Sequence, residues 1–240
     1  GLARLRQLQA ATMPIDGLAY EALIAALLNA TEEAAEAEGD DGADADPDDA
    51  AGDGDAGTRV ALAGDLYVEM RAKGFAPSEA SLLLRTMIAV ADVRADTKLA
   101  ARVFQDVRDE RARGVLDLDD EDLRTANEVL VRVAAGNRDT SLAAAVLTNM
   151  AREQLLDEAE AGALFEAVTT ACASQSAPTP AGVAQAGLAL RVMGVAADVD
   201  QGGWLLDADS MVSSCIIPCL TALANADMPF AAVQVLDSVP

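Results

Sequence analysis

Three groups of residues in this 240-residue chain are of types that do chemistry. The first is acidic. Residues 32–57 hold twelve Asp and Glu and no Lys or Arg. Within them Asp44, Asp46 and Asp48 alternate like the leading ligands of an EF-hand calcium loop, but Asp49 stands where that loop needs glycine. The second group is thiols. Cys215 and Cys219 are four apart and can share one helical face. Two thiols without further ligands make a poor zinc site, and with Cys172 they form an odd, sparse set that suggests no disulfide framework. Buried thiols in a reducing compartment fit that count. The third group is "LDLDDEDL" at 116–123. Acids just before an apolar stretch cap a helix and suit its positive end, so this cluster reads as structural. Histidine is absent, which excludes Ser-His-Asp and Cys-His catalysis and every His-containing metal motif within the chain. No glycine-rich phosphate loop occurs either. The residues point to no enzyme, no cofactor and no metal.

Charge narrows the partners. The chain carries −23; without the twelve acids of 32–57, 28 acids still face 17 bases, a net −11. Non-specific binding to a phosphate backbone wants a basic face, so DNA is not expected as a partner. The longest strongly apolar stretches, such as 215–224, are too short to span a bilayer, and no membrane insertion is expected.

The elements that would position a site are helices. The sequence is 52% hydrophobic but only 3% aromatic, and it is rich in alanine, the best helix former. β-branched residues never alternate over a strand's length. One spacing recurs. Ala63, Tyr67 and Met70 lie on one helical face, four and then three apart. The same spacing returns at Ala100, Phe104, Val107; at Ala143, Leu147, Met150; at Ala186, Leu190, Met193; and, more weakly, at Ala232, Leu236, Val239. The alanines are 37, 43, 43 and 46 residues apart. Before each triplet lies another apolar, helix-length stretch, such as "AYEALIAALLNA" at 19–30 or "TANEVLVRVAA" at 125–135. Paired helices at a period of 20–50 residues predict an all-α fold, an α-solenoid of stacked antiparallel helical hairpins.

The pattern resembles the pentatricopeptide repeat family. The family's first helix has an aromatic, a polar residue and a Leu-Ile pair, matched by Tyr20, Glu21, Leu23 and Ile24. Its second helix and turn have Ala, an aromatic, Met, Gly and Pro, matched by Ala63, Tyr67, Met70, Gly74 and Pro77. Residues 15–78 carry the resemblance specifically, and most of 15–240 follows it with longer, degenerate units. The expected organisation is the tail of a preceding repeat at 1–14, then repeats at 15–78, 79–117, 118–156, 157–197 and 198–240. The acidic run 32–57 is read as a mobile, disordered loop within the first hairpin. Trp204, after "DQGG", is read as a packing anchor.

The resemblance implies that each repeat touches one base of single-stranded RNA, through the residue after the first-helix aromatic position and the residue closing the repeat. Carried over, these are Glu21 with Ser78, Arg85 with Asp117, then Asn127 or Glu128 depending on register, and Glu166. Family readers at the first position are usually Asn, Thr or Ser; here only Asn127 conforms, and Glu21 and Glu166 would turn carboxylates toward RNA. The implied function is a non-enzymatic part of an RNA processing, stability or translation factor of a chloroplast or mitochondrion. The alternative, favoured by the acidic surface, is a protein-binding helical scaffold in a ribosome-like or other large assembly. A basic stripe formed by Arg85, Lys98, Arg124 and Arg132 would support RNA; an apolar or acidic groove would support a protein.

Overall fold

A computed structural model describes residues 16–39, 53–78, 80–114, 119–200 and 211–238. Among them every regular element is a helix. The chain divides into two compact units, Gly1–Asp119 and Asp120–Pro240.

The first unit contains α1 (Gly17–Gly39), α2 (Asp53–Ala72), α3 (Ala80–Arg94) and α4 (Thr97–Ala112). Each packs on its neighbour in sequence, and α1 also touches α3. Two polar contacts give the direction of the first pair. Tyr20, at the start of α1, donates to Glu69 near the end of α2 at 2.7 Å. Arg59, near the start of α2, donates to the carbonyl of Ala30 at 2.6 Å. The two helices therefore run in opposite directions.

The second unit contains α5 (Asp120–Gly136), α6 (Thr140–Arg152), α7 (Glu158–Gln175), α8 (Pro180–Val199), α9 (Met211–Asn225) and α10 (Pro229–Ser238). Here too consecutive helices touch, and alternate ones do as well: α5 with α7, α7 with α9, and α6 with α8. Arg124 of α5 faces Asp157 just before α7, and the Arg138 carbonyl just beyond α5 accepts from Gln175 at the end of α7. These two helices lie side by side in the same direction.

Why the helices start and stop where they do is partly local. Asp96 and Asp139 cap α4 and α6, accepting from the N–H groups of Leu99 and Leu142 at 3.1 and 3.3 Å. Both sit in the pattern Asp-Thr-x-Leu-Ala, so the caps repeat with the alanines at 100 and 143. The exits of α2, α4 and α6 repeat as well, at a different interval. Gly74, Gly114 and Gln154 have φ of 82°, 70° and 57°, each forty positions after the last. At Gly74 and Gln154 the next residue bonds back, Phe75 to Met70 at 3.2 Å and Leu155 to Met150 at 2.9 Å. That bond satisfies a carbonyl the helix would otherwise leave open.

The cores of both units take the first three recurring triplets and, of the fourth, Ala186 and Met193, while Leu190 is half-buried. Ala63, Ala100, Ala143 and Ala186 are all fully buried, as are Tyr67, Met70, Val107 and Met193. The fifth triplet differs. Leu236 is 55% exposed, Ala232 is half-buried, and Val239 lies outside the described residues.

Two expectations change. Residues 32–57 are not one loop: α1 continues to Gly39 and α2 begins at Asp53. Ala and Glu are strong helix formers, and the acids at the start of α2 suit a helix's positive end, so charge alone misjudged both flanks. Only 40–52 of that run, with the calcium-like aspartates, lies outside the described residues, as do 1–14, Asp117 and Trp204. Finally, α8 is long and apolar enough to cross a membrane by length and composition alone. Its most apolar 18-residue window has a mean hydropathy of 1.3 and is 39% buried. Small residues had hidden it, because alanine and glycine dilute the apolar signal without adding charge.

Candidate functional site

The residues inferred to read a ligand fall into different surroundings. Glu21 is 7% exposed on α1, and its carboxylate accepts the Ser78 N–H at 2.6 Å and the Ser78 hydroxyl. The first-helix and closing positions thus meet, and they occupy each other. Asn127 is 3% exposed and donates to the Leu123 carbonyl of its own helix at 2.8 Å, which turns the amide inward. Arg85 of α3 donates to Asn29 of α1 at 2.7 Å. Glu128 is half-buried, and that burial pushes its carboxyl above the usual range while Arg132 pulls the other way. Glu166 stands exposed on the rim of a groove, and Ser78 is exposed as well.

That groove runs between α5 and α7 and encloses about 520 Å³. Its floor is made of small side chains, among them Ala135, Ala163, Ala167 and Ala171. Arg124, Glu128 and Arg132 succeed one another at four-residue intervals on α5 and so share its face. Asp157, just before α7, stands 3.8 Å from Arg124, and Glu160 of α7 pairs with Arg132 at the groove's edge. The cations that were to form half of a basic stripe are therefore answered by acids. The other two expected members, Arg85 and Lys98, belong to the first unit.

A second groove lies on the other helices of this unit, between α6 and α8, with a volume of about 570 Å³. Thr140 at the start of α6 donates to Gln185 of α8 at 2.8 Å and holds one end together. Ala144, Ala145 and Thr148 line one wall and Leu188, Val192 and Val195 the other, with Arg191 as the one charged residue lining it.

The first unit has a polar cluster that the sequence reading missed. Arg71 of α2 grips Asp106 of α4 with two nitrogens, each at 3.3 Å, and reaches Glu110 at 3.7 Å. Tyr67 donates to the same Asp106. Burial, then this hydrogen bond, raises the Tyr67 phenol well above its ordinary value, so it stays a neutral donor. Glu110 is 4% exposed and also pairs with Arg113 at 3.1 Å. The Ala-Tyr-Met triplet read as purely apolar; the available signal was the aspartate two places after Phe104, on the facing helix.

The three thiols lie in the core of the second unit, Cys172 on α7 and Cys215 and Cys219 on α9, each fully buried and in no disulfide. Burial raises Cys172 to about 11 and the other two to about 12, with a Thr169 hydrogen bond opposing the rise at Cys215. Among the described residues no three Cys, Asp or Glu side chains converge to hold a metal ion. Such thiols are protonated and unreactive at neutral pH. A pH effect follows. An unfolded thiol ionises near 9, so the folded chain holds more protons between pH 9 and 12. The thiols' contribution is complete below pH 9 and is lost as pH rises toward 12, by about 1.4 kcal/mol per pH unit for each thiol still protonated only in the folded state. Urea melts at pH 8, 10 and 11 should show the decline, and Cys219→Ala should flatten it. An equal slope in the variant would mean that Cys219 titrates normally.

Compared with known protein families, curated proteins and solved structures, the chain has no match.

Proposed function

We propose that the chain is a protein-binding helical-repeat scaffold, with the hairpins of each unit stacked as in an α-solenoid. The same-direction pairing of α5 with α7, and the recurring caps and exits, support that arrangement. The meeting of Glu21 with Ser78 supports hairpins of a pentatricopeptide-like kind. It is also the observation that carries the functional reading. Two of the side chains that would read bases are spent on internal bonds, Glu21 on Ser78 and Asn127 on Leu123. Arg124 and Arg132, which would hold phosphates, face Asp157 and Glu160. A groove so balanced, in a chain of −23, offers little to a polyanion and more to a protein surface.

The test is a titration of the whole chain against a random pool of single-stranded RNA at low and at physiological salt. No saturable binding is expected at physiological salt, and whatever appears at low salt should fade as salt rises. Tight, salt-resistant binding to one sequence would overturn the scaffold reading and restore RNA recognition in a chloroplast or mitochondrial factor.

A further inference from the structure

The hairpin of α9 and α10 has an apolar face that the described residues of its unit leave open. Among the described residues seven large apolar side chains are exposed, and four of them, Ile217, Phe230, Val233 and Leu236, belong to this hairpin. On α10 the last three follow at three-residue steps and form one stripe along the helix. Phe230 is 87% exposed, Val233 53% and Leu236 55%. Val235, by contrast, is turned inward and 5% exposed, where α10 packs on α9. The stripe is also free of charge. Residues 211–236 contain one charged side chain, Asp227, in a chain that is 24% charged. Contiguous open apolar surface of this kind marks an interaction site.

The repeat shows what does not fit there. Counted from the recurring alanines, Ala143 and Ala232, the residues Phe230, Val233 and Leu236 stand at the places of Ser141, Ala144 and Leu147 on α6. On α6 those places are next to α8: Ser141 and Ala144 line the wall that faces it, and Ala144 and Leu147 are 4% and 1% exposed. Small side chains allow that close approach. α10 has phenylalanine and valine instead, so a helix laid on it as α8 lies on α6 would be overpacked. The stripe suits a second apolar stripe at a wider spacing. Charge says which one. A strongly basic partner would gain nothing from an uncharged stripe, whereas two copies of a −23 chain can meet without opposing acids only at a surface like this.

We propose that the stripe on α10 is a contact between two copies of the chain, related by a twofold axis close to Val233. Such an axis sets Phe230 of each copy against Leu236 of the other and Val233 against its own counterpart, a self-complementary arrangement. Two short helices meeting this way cover roughly 1,000 Å² between them, the low end for a specific contact, so the dimer is weak and reversible, with a Kd on the order of tens of micromolar. The inference goes beyond the scaffold reading and does not depend on it.

The experiment is sedimentation of the intact chain over a concentration series that brackets that Kd, at low and at high salt. The average mass should rise from monomer toward dimer and stop there. Association should tighten with salt, because salt screens the acids of the two copies while the apolar contact needs no charge. Val233→Asp and Val233→Lys should each weaken the dimer by about tenfold or more when measured alone. Mixed in equal amounts they should associate again, since the twofold axis brings the two substituted positions together. Val233 is exposed, so both variants should keep the parent's circular dichroism and melting curve. A monomer at every concentration, a dimer indifferent to both substitutions, or a dimer that salt dissociates would overturn the proposal. Growth beyond dimer, or no recovery in the mixture, would overturn the twofold contact in favour of a head-to-tail one. A monomer that floats with phosphatidylcholine vesicles until Val233→Asp is introduced would assign the stripe to lipid instead.

Discussion

Gly182→Ala should destabilise the protein by about 3 kcal/mol, at the upper end of what overpacking costs, while Gly194→Ala on the same helix should be neutral or stabilise by up to about 1 kcal/mol. Gly182 is in the first turn of α8, where its N–H bonds to the hydroxyl of the capping Thr179 at 3.1 Å. A Cβ there would run into the backbone N and carbonyl O of Ala177 and lie 2.8 Å from its Cα. Backbone atoms cannot swing aside as a side-chain tip can. Ala177 must therefore move, which disturbs the Thr179 N–H bond to its carbonyl at 2.7 Å, or the first turn of α8 must open and lose its cap. Gly194 has nothing within 4 Å of the same added atom. There the substitution only removes glycine's extra freedom in the unfolded chain. Paired urea melts of the two variants measure the difference. Equal stabilities would mean that the 176–179 turn does not approach α8 as closely as described.

Arg71→Leu should cost about 3 kcal/mol, and removing an acid along with it should recover a good part of that loss. The substitution leaves Asp106 with Tyr67 alone and Glu110 with only the well-exposed Arg113. A buried carboxylate short of its partner is costly, whereas a buried pair exchanged whole for apolar groups is often close to neutral. Arg71→Leu with Glu110→Leu should therefore be more stable than Arg71→Leu alone. The double-mutant cycle isolates that coupling. If the two losses simply add, Arg71 does not hold Glu110, and the bidentate grip on Asp106 carries the whole effect. Lys73, nearby, is a poor substitute for Arg71. It is already paired with Glu69 at 2.7 Å and sits over the Tyr20 ring at 5.1 Å from the centroid.

Features written in near neighbours could be read directly. The four-and-three spacing of Ala63, Tyr67 and Met70 puts three side chains on one face, and all three are buried. The aspartates at 96 and 139 cap the helices that follow because a cap reaches only to the third residue on. Features that depend on distant chain could not. Whether Glu21 faces solvent or the interior depends on Ser78, which arrives 57 residues later. Whether Arg132 is available to a phosphate depends on Glu160, 28 residues on. Both side chains look accessible on a helical projection, and an isolated helix would expose both.

The forty-residue rhythm shows the division most plainly. Gly74 and Gly114 announce a left-handed helix exit through the one residue type that adopts it freely, but Gln154 takes the same conformation with a side chain and without any such mark. The alanines, tied to the N-caps, are spaced 43 where the exits are spaced forty, so the helix lengths, and not the repeat, absorb the difference. By itself the sequence determined the helical class, the faces that go inward and several caps, because those follow from period and local hydrogen bonding. The tertiary structure alone decided which polar side chains were consumed and which apolar ones were left open. Leu236, placed like the buried Leu147, remains exposed. Burial is a property of what packs opposite, and no run of neighbours along the chain specifies that.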